Sequence, residues 1–188
     1  MKNQKQSSNN VFEVRERLKS KTKRTSLLVL TAMLFAIAIV LSLVEGALPA
    51  LIPSVPGVRF GLSNIAVMYS LFFLRKREAF AIAFLKSMFV LSTRGLIAGL
   101  LSLSGGVFSL FVMIVLMGIF RERISYLMLS IAGAIFHNLG QLAAVAVVYT
   151  SLYTFVYFPV LLISGVIAGT VTATLLRVAI PALKRLGR

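Results

Sequence analysis

The sequence contains no cysteine and no aspartate, and it has one histidine and five acidic residues among 188 positions. Without cysteine, the chain can form no disulfide, no thiolate nucleophile and no iron–sulfur centre. A single histidine supplies too few nitrogen ligands for a typical zinc site, and the lack of aspartate excludes the aspartate-rich motif that holds magnesium and diphosphate. No Walker A motif is present, so the chain does not hydrolyse ATP by that route. We therefore expect no metal, no cofactor and no autonomous catalysis.

Apolar residues dominate what is present. They make up 59% of the chain, charged residues make up only 13%, and the mean hydropathy is +0.95. A soluble domain of this length does not need so much apolar surface, so the sequence predicts an all-α integral membrane protein. A spanning helix needs roughly 20 apolar residues, which leaves room for about six. We place one transmembrane domain at 26–180 between tails at 1–25 and 181–188, with spans at 26–44, 60–74, 78–93, 105–120, 125–149 and 156–178.

The formal net charge of +15 could indicate a nucleic-acid partner, but most of the bases flank apolar runs. Bases in such positions set membrane orientation and contact anionic lipid, so we expect a bilayer and no nucleic acid as the partner. With six spans, the basic segments at 1–25, 75–77, 121–123 and 184–188 share one side. The positive-inside rule makes that side cytoplasmic. We predict a bacterial cytoplasmic membrane protein with both termini in the cytoplasm.

The connection at 45–64 contains three of the five prolines, one acid at its start and one base near its end. Because prolines interrupt helical hydrogen bonding, this segment is predicted to be a shaped connection rather than a helix. Its length and apolar character are typical of a loop that folds back onto membrane-embedded protein. Arg59 and Arg94 are the two bases on the predicted outer side. Membrane orientation does not explain them, so we interpret the region as the wall of a binding site.

Four polar residues inside the predicted spans are the main candidates for function. Lys86 is near mid-depth of the third span, and His137, Asn138 and Gln141 occupy one region of the fifth span, in its outer half. A charge at the bilayer centre costs about 2.5–3.5 kcal/mol on insertion scales, so such residues are candidates for function. Two structural alternatives stay open. Lys86 could extend its amine to an interface, and the residues of the fifth span could form an interhelical hydrogen-bond clamp.

The predicted topology places all of these polar residues at a comparable depth, with Lys86 beneath the others. Gly105 and Gly106 open the predicted fourth span, where free backbone N–H groups would favour an anion. We therefore expect a site for a small anionic, partly apolar molecule. As an alternative, Glu45 forms an ion pair with Arg59 or Arg94 that only fixes the position of the connection at 45–64. The candidate substrate-binding residues are Glu45, Arg59, Asn64, Lys86, Arg94, Gly105, Gly106, His137, Asn138 and Gln141.

Ala32 and Ala36 lie one helical turn apart in the first span and form a stripe on which another helix can pack. The pattern resembles the alanine motif by which S components of energy-coupling factor (ECF) transporters dock on their transmembrane coupling subunit. Lipid contact or internal packing is the alternative. The stretches 57–64, 104–106 and 133–141 are similar to the Gx transporter family, also named heptaprenyl diphosphate synthase component I. The resemblance covers about residues 26 to 179 and implies a six-helix, S-component-like bundle.

The two family names imply different functions. The first implies a substrate-binding subunit of an ECF-type importer, with coupling and ATPase subunits as partners and a vitamin, flavin, quinone or isoprenoid precursor as substrate. The second implies an accessory membrane subunit of isoprenoid or quinone synthesis, without catalysis of its own. A scaffold protein without a ligand is the third possibility. A polar site that opens outward favours import, whereas one that opens to the cytoplasm favours prenyl processing, and the charge distribution predicts the outward position.

Overall fold

The computed structural model describes residues 2–47, 61–120, 124–149, 156 and 158–186. Helices account for nearly all of these residues, and no strand occurs among them, which confirms the all-α prediction. The helices reproduce the order of the predicted spans. They are α1 (Lys2–Ala47), α2 (Asn64–Phe73), α3 (Lys76–Arg94), α4 (Leu96–Phe120), α5 (Tyr126–Tyr149) and α6 (Phe158–Leu186).

Four of these helices are long and apolar enough to cross a membrane, by the segments Arg24–Ala47, Leu96–Phe120, Tyr126–Val148 and Phe158–Pro181. They indicate a membrane protein. Helix α2 has only 10 residues, so it is about 15 Å long, half the thickness of a hydrocarbon core. Helix α3 has 19 residues but carries charges at both ends and in its middle. The crossing of the membrane by all six helices therefore stays a prediction.

The start of α4 differs from the sequence-based prediction. The sequence predicts a connection between Arg94 and Ser104, with a half-helix or re-entrant piece at 96–103 as an option, and a fourth span that begins at Gly105. Instead, Gly95 alone separates α3 from α4, with a φ of 89° that favours glycine. Because α4 already begins at Leu96, Gly105 and Gly106 lie inside it, where backbone N–H groups bond within the helix. The expected anion-binding helix start at these glycines is wrong.

The helices α3, α4, α5 and α6 pack in chain order, and α2 contacts both α3 and α6. Helix α1 packs against α2 and α3, and most of its apolar segment is exposed. Helix α2 is the most enclosed element, since every residue from 65 to 71 is buried. A short helix that is apolar on all sides suits such a central position. This packing brings the first turn of α2 into the interior beside α3 and α5.

Glycines allow the closest helix contacts. A Cβ atom on Gly105 would lie 2.8 Å from the carbonyl oxygen of His137, and one on Gly140 would lie 2.9 Å from that of Ser104. On the next seam, a Cβ atom on Gly169 would lie 2.5 Å from the Cα atom of Ile131. These distances are too short for a side chain, so close backbone packing requires glycine at these positions.

Candidate ligand-binding site

A polar cavity of about 140 Å³ lies where the end of α1 and the second half of α3 meet the start of α2, the first half of α4 and the middle of α5. Its wall carries three charged side chains, which come from α1 and α3. Four further polar side chains come from α2 and α5. The structure therefore gathers seven of the ten predicted site residues around one cavity: Glu45, Asn64, Lys86, Arg94, His137, Asn138 and Gln141.

The other three predicted residues have different positions. Gly106 lines a second cavity of about 30 Å³, which adjoins the polar cavity. Gly105 packs against His137 and Gln141 of α5, where it allows the two helices to approach. Arg59 lies outside the described residues. A role for these residues in binding a substrate stays a prediction, as it does for the seven that line the polar cavity.

Lys86 is held inside the protein rather than at an interface. Only 4% of its surface is exposed, and its Nζ atom donates hydrogen bonds to Asn64 Oδ1 at 2.7 Å and to Ser63 Oγ at 3.2 Å. Both acceptors belong to the start of α2, so the ammonium group ties α3 to α2. The alternative in which Lys86 extends to an interface therefore does not describe this structure. Both acceptors are neutral, so neither neutralises the ammonium charge, which interacts electrostatically with the carboxylate of Glu45 in the same wall.

Glu45 and Arg94 also make bonds that position the elements around the cavity. The Oε1 atom of Glu45 accepts a hydrogen bond from the backbone N–H of Gly61 and so joins the end of α1 to the residues before α2. The guanidinium of Arg94 donates to the backbone carbonyl of Ser42 on α1. Glu45 and Arg94 thus each bond to backbone. In the described structure these two bonds replace the Glu45–Arg94 ion pair that the sequence left open as an alternative. The cavity keeps one acid and two bases in its wall.

His137 and Gln141 form a polar pair one helical turn apart. The Nε2 atom of Gln141 lies 3.1 Å from the Nε2 atom of His137. An amide nitrogen only donates, so the Nε2 atom of the ring is the acceptor in this arrangement, and Nδ1 is the other ring nitrogen. That Nδ1 atom and the Oε1 atom of Gln141 are buried without a hydrogen-bond partner. Because a buried polar atom without a partner costs roughly 1–3 kcal/mol, a ligand or water that bonds to this pair is stabilised.

Asn138 contacts α6 through its amide nitrogen. The Nδ2 atom donates to the carbonyl oxygen of Leu161 at 3.0 Å and to Ser164 Oγ at 3.2 Å. These bonds make Asn138 an interhelical clamp, which is the structural alternative considered for the fifth span. Asn138 still lines both cavities, so its Oδ1 atom is the part that a ligand can use.

Several serines in or beside the cavity wall are positions that sequence reasoning missed. Ser63 accepts a bond from Lys86, and Ser42 supplies the carbonyl that holds Arg94. The Oγ atoms of Ser87 and Ser102 lie 3.2 Å apart and join α3 to α4 beside the cavity. Serine is common in membrane helices because it hydrogen-bonds to its own helix, so its presence alone is a weak signal. For Ser63, the sequence offered one clue, which is that it directly precedes the predicted site residue Asn64.

The family described as Heptaprenyl diphosphate synthase component I matches residues 34–178, which is more than half of the chain. The chain belongs to this family. The matched region includes every described residue that lines the polar cavity. The match confirms the resemblance identified from the three sequence stretches. No curated protein and no solved structure matches the chain.

The family description names one component of a synthase, so a heptaprenyl diphosphate synthase component I is a subunit of a larger assembly. This is consistent with a subunit that has no catalysis of its own. The described residues contain no group of three His, Cys, Asp or Glu side chains that could hold a metal ion. Among the described residues that line the polar cavity, Glu45 supplies the single carboxylate.

The predicted docking stripe lies on the outside of the described structure. Ala32 and Ala36 are exposed on α1, whereas Leu34 and Ala38 on the same helix are completely buried against the core. The stripe is therefore on the surface of the described structure and does not serve internal packing. Contact with a partner helix stays a prediction, with contact with lipid as its alternative.

Proposed function

We propose that this chain is a non-catalytic, substrate-binding membrane subunit that captures a small, partly apolar anion in the polar cavity. One observation carries the proposal. In a chain with so few charges, Lys86 and Arg94 both reach the wall of one internal cavity, together with the unpartnered atoms of His137 and Gln141. Buried charge in a membrane protein is costly, and it is retained mainly where it binds a substrate or an ion.

The charges in the cavity wall favour a ligand with one negative charge. Two bases and one acid sum to +1, so a monoanion neutralises the described part of the wall. A carboxylate or a phosphate ester would accept hydrogen bonds from the Lys86 ammonium and the Arg94 guanidinium. Charge-assisted bonds of this kind are about twice as strong as neutral ones. The uncharged part of the ligand would contact Val90, Ala98 and Leu101, the apolar residues of the same wall.

The position of the cavity supports import as the role of this subunit. The cavity lies at the end of α1 and α3 that is distant from the basic segment 75–77, where α3 begins. If basic segments face the cytoplasm, the cavity belongs to the outer half of the protein. A coupling subunit would dock on the exposed stripe of Ala32 and Ala36, and separate ATPases would supply the energy for transport.

The family description supports a second candidate, an accessory membrane subunit of heptaprenyl diphosphate synthase. In that role the chain would hold a prenyl diphosphate for a catalytic partner, which would have to provide the carboxylates that bind magnesium. The two candidates require opposite access to the site. An importer takes its ligand from outside, whereas a partner of a soluble synthase presents it to the cytoplasm.

Mass spectrometry of small molecules that co-purify with the protein tests the shared part of both candidates. The wild-type chain should retain an anionic compound that is lost from the Lys86→Met variant. Gly118→Ala is a suitable control, because a Cβ atom at position 118 would have no other atom within 4 Å and Gly118 does not line the cavity. The proposal is refuted if the same compounds occur in all three preparations, or if no anion is enriched in the wild type.

Cysteine labelling in intact cells separates the two candidates. The chain has no native cysteine, so Ser8→Cys and Ser54→Cys each provide a single thiol. An impermeant thiol reagent should label Ser54→Cys from outside and Ser8→Cys only after the membrane is opened. The reverse pattern would place the cavity end in the cytoplasm. That result would exclude capture from outside and favour the accessory subunit.

A further inference from the structure

The second cavity lies next to the polar one and has a different lining. The residues Gly61, Asn64, His137 and Asn138 border both cavities, so they form the partition between them. Beyond this partition, small and apolar residues form most of the wall, and no charged residue takes part among those described. We call this space the inner cavity. Its characteristic lining residues are Met68, Ala83, Gly106, Met113, Ala134 and Ala168.

Two adjacent glycines of α4 have different reasons to lack a side chain. A Cβ atom on Gly105 would lie 2.8 Å from the His137 carbonyl oxygen, so helix packing requires glycine there. A Cβ atom on Gly106 would meet only the Cβ atom of Ala83, at 3.8 Å, which is an ordinary contact. Packing therefore does not require glycine at 106. What a side chain at 106 would remove is space in the inner cavity.

We propose that Gly106 is a specificity-determining residue that keeps the inner cavity open for the apolar end of the ligand. The inference rests on the proposed function. The anionic group stays in the polar cavity near Lys86 and Arg94, and a slim apolar end passes Asn64 and His137 into the inner cavity. At about 30 Å³, the inner cavity accepts about one or two groups of the size of a water molecule or a methylene. The ligand class is thus an unbranched monoanion with a short apolar end.

The test uses straight-chain carboxylates from acetate to octanoate as probes, with the corresponding primary alcohols as uncharged controls. Binding is measured as ligand-induced thermal stabilisation of the purified full chain in lipid nanodiscs. In the wild type, affinity should rise about fourfold with each methylene until the inner cavity is full. Gly106→Ala should leave acetate binding unchanged, and it should weaken the best-fitting longer probe about fourfold or more.

Two further variants test whether the effect of Gly106→Ala comes from the loss of space in the inner cavity. Gly118→Ala makes the same chemical change on α4 at a position with open space, and it should bind every probe as the wild type does. Ala83→Val narrows the inner cavity from α3 and should shorten the preferred chain as Gly106→Ala does. If Gly106→Ala and Ala83→Val keep the wild-type preference for chain length, the role of Gly106 is wrong while anion binding stands. If the wild type binds none of the carboxylates, the proposed anion site is wrong and the role of Gly106 falls with it.

Discussion

Replacement of Lys86 by methionine separates the electrostatic role of its ammonium group from the packing role of its stem. Methionine keeps an unbranched apolar side chain in a site where Lys86 is only 4% exposed. It loses two hydrogen bonds from a charged donor, each worth roughly 1.5–3 kcal/mol. It also removes a buried charge whose desolvation costs several kcal/mol. Because these terms oppose each other, the empty protein should change in stability by no more than about 2 kcal/mol.

Ligand binding has no such compensation. An anion in the cavity loses a charge-assisted bond of roughly 1.5–3 kcal/mol, so its affinity should fall about 10- to 150-fold. A substitution at Glu45, the one acid in the described wall, removes a negative charge where Lys86→Met removes a positive one. Glu45→Gln keeps an acceptor for the N–H of Gly61 but removes the negative charge. The affinity for an anion should therefore rise in Glu45→Gln and fall in Lys86→Met.

Titration of the co-purified anion against both variants in nanodiscs measures the two affinities, and thermal melting without ligand measures stability. Opposite changes in affinity, with similar melting temperatures of the empty proteins, would support the charge assignment. If both substitutions weaken binding equally, the two residues act only through the fold. If neither changes binding, the anion does not occupy this cavity.

Three further predictions concern the helix seams and the exposed face of α1. Asn138→Ala should lower the free energy of unfolding by about 1–3 kcal/mol, measured as a lower melting temperature, because it removes both bonds to α6. An equal loss in ligand affinity would instead assign the residue to the site. Gly169→Ala should destabilise by about 1–3 kcal/mol in denaturant titrations, whereas Gly118→Ala should stabilise by roughly 0.5–1 kcal/mol, and equal effects would contradict the close packing at Gly169. Ala32→Leu or Ala36→Leu should reduce co-purification with a membrane partner and leave ligand binding intact, and wild-type yields of the partner would refute docking there.

The helices were predictable because apolar runs long enough to span a membrane are a strong signal. The predicted spans match α2, α3, α5 and α6 closely at their starts, but the predicted fourth span begins too late. The sequence near Gly95 contains no proline, and the polar residues at 92–94 fit the end of the third span as well as a longer connection, so a break of one residue with a positive φ is hard to see. The pair Gly105 and Gly106 is a more conspicuous signal and favours a helix start at the wrong position. In the structure, at least Gly105 reflects contact between helices.

The grouping of the polar residues was predictable from topology, but their hydrogen bonds were not. Lys86 and His137 stand out because they interrupt apolar helices, and the predicted direction of each span places them at a comparable depth, with Lys86 beneath. The acceptors of Lys86 lie more than twenty residues earlier in the chain. Such a pairing depends on how α2 packs beside α3, which no local pattern specifies. In the fifth span, the bonds of Asn138 to α6 likewise depend on helix rotation, whereas the pairing of Gln141 with His137 follows from their spacing of four residues on one helix.

The size of the cavities bears on the choice between the two candidate functions. A buried cavity of roughly 150 Å³ accommodates benzene. On that scale, the polar cavity of about 140 Å³ and the inner cavity of about 30 Å³ together accommodate roughly seven non-hydrogen atoms. A heptaprenyl chain is several times larger than both spaces together. An accessory role in prenyl synthesis would thus require the chain to lie outside these cavities, with only its charged head near Lys86, whereas a small monoanion fits inside them completely.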